Sequence, residues 1–335
     1  MKTILIKAGP LVVATALLSS CAASPSSTPS PVSSAETAIT SCGIELSIPA
    51  APKRAIALEQ GATEVMLALG LEGRMIGTSY LTDAVAPEYQ AAYDAVPVLA
   101  AQYPTTEQVR EAGPDFVYSM RASAFSSDAA GSREELIDLG VPAYLSSNDC
   151  EDQDLITDEV GFDQIFAEVQ DIASIFDVPV KGDELVADQQ AVLDDARARS
   201  GDVDAPSIVW LYSSVEGAPV VAGANGLAHT LGELAGGTNA FDDLDAQWTE
   251  TTWDEIAQRD PDVIVVADLS RGLPGDSAAD KIESLRTDAV TAQLSSVMEN
   301  RLISIPATEL DPSVRSIDAL QTLSTSLTDF AGGTE

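Results

Sequence analysis

One histidine, His229, and three cysteines are spread over 335 residues, and 17 lysines and arginines stand against 53 aspartates and glutamates. Nucleic acid requires clustered basic residues, and anionic lipid heads repel so acidic a surface, so both are excluded as partners. G-x-S-x-G, S-x-x-K, H-E-x-x-H, Walker A and a complete G-x-G-x-x-G are all missing. No cofactor motif and no metal cluster remain to support catalysis. An enzymatic reading therefore reduces to His229 working with a nearby acid such as Glu233 or Asp242, on a lipid-anchored hydrolase. The apolar run Gly9–Leu18 is far shorter than the roughly 20 residues needed to span a bilayer.

That run belongs to a processing segment. Lys2 and Lys7 precede it, and it ends in Leu18-Ser19-Ser20-Cys21, a branched apolar residue, two small ones and a cysteine. This is a bacterial lipoprotein cleavage box, which predicts residues 1–20 as a signal peptide and Cys21 as the lipidated N-terminus. The next stretch, residues 21–41, is nearly all Ser, Pro, Thr and Ala without periodicity and reads as a flexible tether. The expected placement is extracytoplasmic, held by lipid at the outer face of the cytoplasmic membrane. With Cys21 acylated, Cys42 and Cys150 are an even pair in an oxidising compartment, either bridged or as free thiols.

Two stretches of the body repeat one another. Thr105–Val117 reads TTEQVREAGPDFV and Thr252–Ile264 reads TWDEIAQRDPDVI. Aligned on Pro114 and Pro261, each carries an acid seven residues before the proline, Glu107 and Asp254, then a short amphipathic helix, Pro-Asp and an apolar strand. One helix–turn–strand unit used twice predicts two similar α/β lobes. It also places matched carboxylates on a surface suited to a two-fold partner. A carboxylate in the first turn of a helix is favoured by the macrodipole in any case, so the equivalence across the repeat carries the docking argument.

Apolar strand-like runs alternate with helix-period segments, the pattern of mostly parallel sheets. Strands are expected at Ala55–Leu58, Met75–Thr78, Phe116–Ser119 and Ala143–Leu145, with Gly70, Gly113 and Gly140 stopping the helices between them. The spacing of Ile165, Phe166, Val169, Ile172, Ala173 and Phe176 predicts a helix over 158–177. This helix is read as a stiff connector between an N-terminal lobe, 42–157, and a C-terminal lobe, 178–331. The alternation resumes with Ile208–Tyr212, Val263–Val266 and Leu302–Ile305 and closes on a helix over Ser313–Leu327. The fold class is thus α/β, two lobes with mostly parallel sheets joined by one long rigid helix.

In open parallel sheets ligands lie beyond the carboxyl ends of the strands. That rule selects Glu59–Gly61, Ser79–Thr82, Met120–Phe125 and Ser146–Asn148 in one lobe, and Ser213–Gly217, Leu269–Gly272 and Thr308–Arg315 in the other. Arg121, Arg271 and Arg315 fall in these loops, and planar guanidiniums in so acidic a chain suggest an anionic ligand. Tyr80, Phe125, Tyr212 and Trp248 lie in or beside the same loops and are read as aromatic walls; Tyr118 and Trp210 are read as either walls or core.

The body opens SCGIELSIPAAPKRAIALEQGATEVMLALGLEGRMIGTSY and continues through the two acidic echoes, AYLSSNDC, ELAGGTNAF and VMENRLISIP. Together with the cleavage box and tether, these segments resemble the extracytoplasmic substrate-binding lipoproteins of ABC importers for ferric siderophores, haem and cobalamin. The resemblance runs from about Cys42 to the last helix and rests most on ATEVMLALGL with ELAGGTN. It implies two Rossmann-like lobes with a ligand cleft between them, and a monomer that docks on an ABC permease dimer, with Glu107 and Asp254 bridging to permease arginines. The family more often has Glu where this chain has Asp254, and the neighbouring Glu255 is placed to share that role. A small anionic ferric siderophore fits arginine plus aromatics best. Haem would use an axial Tyr80, Tyr212 or His229, cobalamin mainly aromatics; a deazaflavin precursor is the fourth candidate.

Overall fold

The computed structural model describes residues 3, 37–156, 160–201, 204–215 and 217–332. Apart from residue 3, the signal peptide, Cys21 and the tether up to residue 36 lie outside them. The remainder of the expected tether is a strand: β1 (Thr37–Ser41) pairs antiparallel with β2 (Ile44–Ile48) around a Cys42-Gly43 turn. β-Branched residues at Thr37, Ile39 and Thr40 suit a pleated, half-buried surface, and Leu46 and Ile48 anchor the hairpin in the first core. Composition alone hid this strand among its Ser/Thr-rich neighbours.

The first lobe holds an all-parallel sheet in the order β5-β4-β3-β6-β7, formed by β3 (Ala55–Leu58), β4 (Met75–Ser79), β5 (Val98–Ala100), β6 (Phe116–Ser119) and β7 (Ala143–Leu145). Its central strands are buried on both faces, which is why they read as unbroken apolar runs. Helices α1 (Gln60–Ala68), α2 (Gln90–Tyr93), α3 (Thr106–Ala112) and α4 (Arg133–Asp138) cross between strands. Two further helices follow, α5 (Phe162–Ile175) and α6 (Pro179–Ser200).

The second lobe is mixed. Strands β8 (Ser207–Val215), β9 (Ala218–Ala222), β10 (Thr238–Asn239), β11 (Trp248–Glu250), β12 (Val263–Asp268) and β13 (Leu302–Pro306) form a sheet in the order β11-β9-β8-β12-β13, with β10 beside the start of β8. The β8–β9 hairpin and β11 are antiparallel. Helices α7 (Leu227–Leu234), α8 (Trp253–Arg259), α9 (Ala278–Thr287), α10 (Ser295–Met298) and α11 (Ser316–Gly332) complete it.

The segment 158–177 carries α5, while the longest helix among the described residues is its successor, the 22-residue α6. Both helices touch both cores. Phe162, Ile165 and Phe166 sit in the second-lobe core, and Val169, Ile172 and Phe176 in the first; on α6, Leu185 packs against the first core and Leu193 and Ala196 enter the second. Burying each such Leu, Ile or Phe contributes about 1.5–3 kcal/mol, so the joint is a packed pair of helices rather than a free hinge.

The sequence repeat is a structural one. Thr105 and Thr252 cap α3 and α8, each side chain accepting the N–H three residues on, from Gln108 and Glu255. Both helices end left-handed, at Gly113 and at Asp260, whose carboxylate is held by Ser295. Asp115 then accepts the backbone N–H of Arg54 just before β3, and Asp262 that of Ser207 at the start of β8. In each lobe the Pro-Asp pair thus staples the incoming strand to the central one.

Candidate functional site: a cleft between the lobes

A cleft of about 700 Å³ lies between the lobes, lined by the turns that leave the carboxyl ends of both sheets. That size suits a small-molecule site. From the first lobe come Glu59 after β3, Tyr80 and Asp83 after β4, Tyr103, Met120 and Arg121 after β6, and Ser146 and Asp149 after β7. The second lobe supplies Tyr212 on β8, Asp268 at the end of β12, Ser270, Arg271, Thr308 and Asp311.

The first wall is fixed from beneath. Glu59 adopts a left-handed φ of 77° ahead of α1, and its buried carboxylate accepts the Met120 N–H and the Ser119 hydroxyl. Burial pushes its pKa up to about 8, against those hydrogen bonds and the nearby Arg121. Gln60 orders the next loop: its Oε1 accepts the N–H groups of Thr82 and Asp83 at 3.1 and 3.0 Å, and its amide donates to Ala84 O. Deeper in the same lobe the hydroxyls of Tyr118 and Ser146 both donate to Glu168, whose pKa burial lifts to about 7.

Polar contacts at Arg121, Asp83 and Arg315 cross between the lobes. Arg121 Nη2 meets Asp311 Oδ1 at 2.5 Å. The Ser270 hydroxyl donates to Asp83 at 2.8 Å and the Thr308 hydroxyl lies 3.4 Å from the same carboxylate. Arg315 Nη1 donates to Ala84 O at 3.3 Å, while its guanidinium faces Glu309 at 3.1 Å and the fully buried Glu64 at 3.6 Å.

Of the residues expected at the ligand, Tyr80, Arg121, Tyr212 and Arg271 line this cleft. Tyr80 stacks edge-on against Tyr103, ring centroids 4.7 Å apart. Trp248 stands one layer back, 4.8 Å from Tyr212. Phe125 is core: it packs with Leu58, Val117 and Leu145 beneath the sheet, because the short helical turn Ala122–Ala124 rolls it inward. Arg315 is not on the lining; it is 8% exposed and committed to the lobe joint. Tyr118 and Trp210 are fully buried.

The two lining arginines already have acidic partners. Arg121 is paired with Asp311, and Arg271 donates two hydrogen bonds to Asp276 at 3.0 and 2.7 Å. Sequence reasoning passed over the acids. Asp311 was in a selected loop and Asp83 one residue beyond another, yet neither has a motif; only their pairing marks them.

Cys42 and Cys150 are joined by a disulfide spanning 108 residues. It ties the β1–β2 turn to the loop that carries Asp149. Glu107 and Asp254 are both exposed, at the second position of α3 and α8, and neither makes a hydrogen bond or ion pair among the described residues. Glu255 is engaged by Arg259 at 2.9 Å, leaving Asp254 as the uncommitted acid of that turn. His229 lies on α7, off the cleft lining, 3.6 Å from Glu233 of the same helix. No group of metal-ligating side chains and no helix long and apolar enough to cross a membrane occurs among the described residues.

The periplasmic binding protein family matches residues 56–309, and the chain belongs to it. Solved structures agree. A periplasmic binding protein from Veillonella parvula is 26% identical over 88% of this chain and 98% of its own, with a TM-score of 0.75. A protein of an ABC-type Fe3+-hydroxamate transport system from Saccharomonospora viridis is 23% identical over 87% and 98%, TM-score 0.68. A periplasmic haem-binding protein from Roseiflexus sp. RS-1 is 22% identical over 84% and 99%, TM-score 0.64. No curated protein sequence matches the chain. The family is one of extracytoplasmic substrate-binding proteins of transporters, not of enzymes, so the hydrolase reading of His229 falls.

Proposed function

We propose that this chain is the lipid-anchored, substrate-binding component of an ABC importer, capturing a ferric siderophore-type chelate in the cleft and presenting it to the permease. The carrying observation is the cleft of about 700 Å³ at the strand ends of two lobes, walled by Tyr80, Tyr103 and Tyr212. Flat rings pack against a chelate while hydroxyls and carboxylates orient it. Glu107 and Asp254, at equivalent helix starts on the two lobes, are the docking acids, and Cys21 is the lipid anchor. Because α5 and α6 bury apolar side chains in both cores, closure is small. Trp248, against the lining ring of Tyr212, supplies a reporter. Its fluorescence should saturate at submicromolar ferric chelate and not respond to the metal-free form. Saturation by haem or cobalamin with no response to any ferric chelate would reassign the ligand.

A further inference from the structure

We infer that the cleft takes an iron chelate of zero or positive charge, and that Asp83 reads a cationic arm upon it. This rests on the binding-protein reading above and narrows its substrate class. Four carboxylates, Asp83, Asp149, Asp268 and Asp311, line the cleft against two guanidiniums, Arg121 and Arg271, with the buried, proton-holding Glu59 beneath them. Both guanidiniums are already neutralised by acids of the chain, Asp311 and Asp276. Other cations stand behind the lining: Arg315 is held by Glu64 and Glu309, and Lys281 is buried with Nζ on Ala267 O. An anion entering here meets no uncommitted positive charge among the described residues.

The lining acids are not equivalent. Asp311 is paired with Arg121, Asp149 accepts the Ala122 N–H, and Asp268 accepts the Ala278 N–H with Lys281 close by. Glu59 is buried beneath the wall on Met120 and Ser119. Asp83 is different: besides the Ala84 N–H, its carboxylate meets two hydroxyls from the other lobe, those of Ser270 and Thr308. Two backbone hydrogen bonds to Gln60 fix the loop that presents it. It bridges the lobes at the cleft, so a ligand ammonium there would meet an oriented carboxylate from one side and the hydroxyls that align it from the other. Tyr80, Tyr103 and Tyr212 line the same space, and aromatic faces attract cations as well.

Two ferric trihydroxamates of identical iron coordination separate charge from shape: ferrioxamine B, with one pendant ammonium, and its N-acetyl derivative, with none. A triply anionic ferric tricatecholate completes the set. In fluorescence titrations of the purified protein, ferrioxamine B should bind about tenfold tighter than the acetylated form, with the tricatecholate weaker than both. Asp83→Asn should abolish the difference between the two hydroxamates. Should that variant not fold, salt dependence in the unchanged protein decides: added NaCl must weaken ferrioxamine B more than its acetylated form. Equal affinities for the two hydroxamates, or a tighter tricatecholate, would overturn the inference.

If no ferric chelate binds, the iron-chelate reading fails and the inference with it; saturation by haem or aquocobalamin would then reassign the ligand.

Discussion

Arg121 and Asp311, 190 residues apart in sequence, meet at 2.5 Å across the mouth of the cleft, one from each lobe. The pair removes from the cleft a cation that its loop position advertises. Asp311→Asn should therefore free a guanidinium and raise affinity for a triply anionic ferric tricatecholate about tenfold. The two side chains are 36% and 51% exposed, so stability should change by no more than about 1 kcal/mol. Parallel titration and urea melts check both. An unchanged tricatecholate affinity would mean that Arg121 does not face the ligand.

Arg315→Met tests a role as structural staple against a role at the ligand. Removing it leaves Glu64 and Glu309 buried without their cation, which should cost about 3 kcal/mol in urea unfolding. Preference among chelates of different charge should persist. A variant as stable as the parent that loses its ligand would return Arg315 to the binding set.

Stability should rise as pH falls from 8.5 toward 5. Burial lifts Glu59 to about 8 and Glu168 and Glu309 to about 7, from 4.5. Between those values the folded state holds protons that the unfolded chain releases. Their stabilisation is complete below 4.5 and is lost as pH rises through 7 to 8. Each group contributes at most about 1.4 kcal/mol per pH unit in its window. Glu59→Gln should flatten the slope of Tm against pH, most clearly between pH 6 and 8, and an unaltered slope would remove Glu59 from this account.

Replacing Cys42 and Cys150 by Ser opens a loop closed over 108 residues. Chain entropy puts the loss at about 4–5 kcal/mol. Because Cys150 follows Asp149 on the cleft wall, amide exchange should accelerate across 146–153 more than in β12. Uniform acceleration would show a purely global effect.

Glu107→Lys with Asp254→Lys should abolish uptake in cells while chelate binding by the purified protein stays within about twofold of the parent, since both side chains are exposed and off the cleft lining. Persisting uptake would rule out docking through these acids.

Local patterns determined a good part of this molecule. The buried strands Ala55–Leu58, Phe116–Ser119 and Ala143–Leu145 form over the residues their unbroken apolar runs predict. The Thr-capped helices before Pro114 and Pro261 show the repeat because caps and left-handed stops are chosen within a dozen residues. Cysteine parity pointed to Cys42 and Cys150 for a similar reason, since pairing two leftover residues needs no geometry. The strand-end rule reached Tyr80, Arg121, Tyr212 and Arg271 because it depends on sheet direction alone.

What the tertiary structure decided is the company each charge keeps. Arg315 read as a loop cation until Glu64, 251 positions earlier, was found facing it inside the joint. Phe125 read as a wall until a single helical turn placed it in the core. Asp83 had no motif, and its importance comes from Ser270 and Thr308 on the other lobe. Side-chain type and short-range spacing are written along the chain. The sign of a cleft depends on which charges cancel, and that is set only when segments hundreds of residues apart fold against each other.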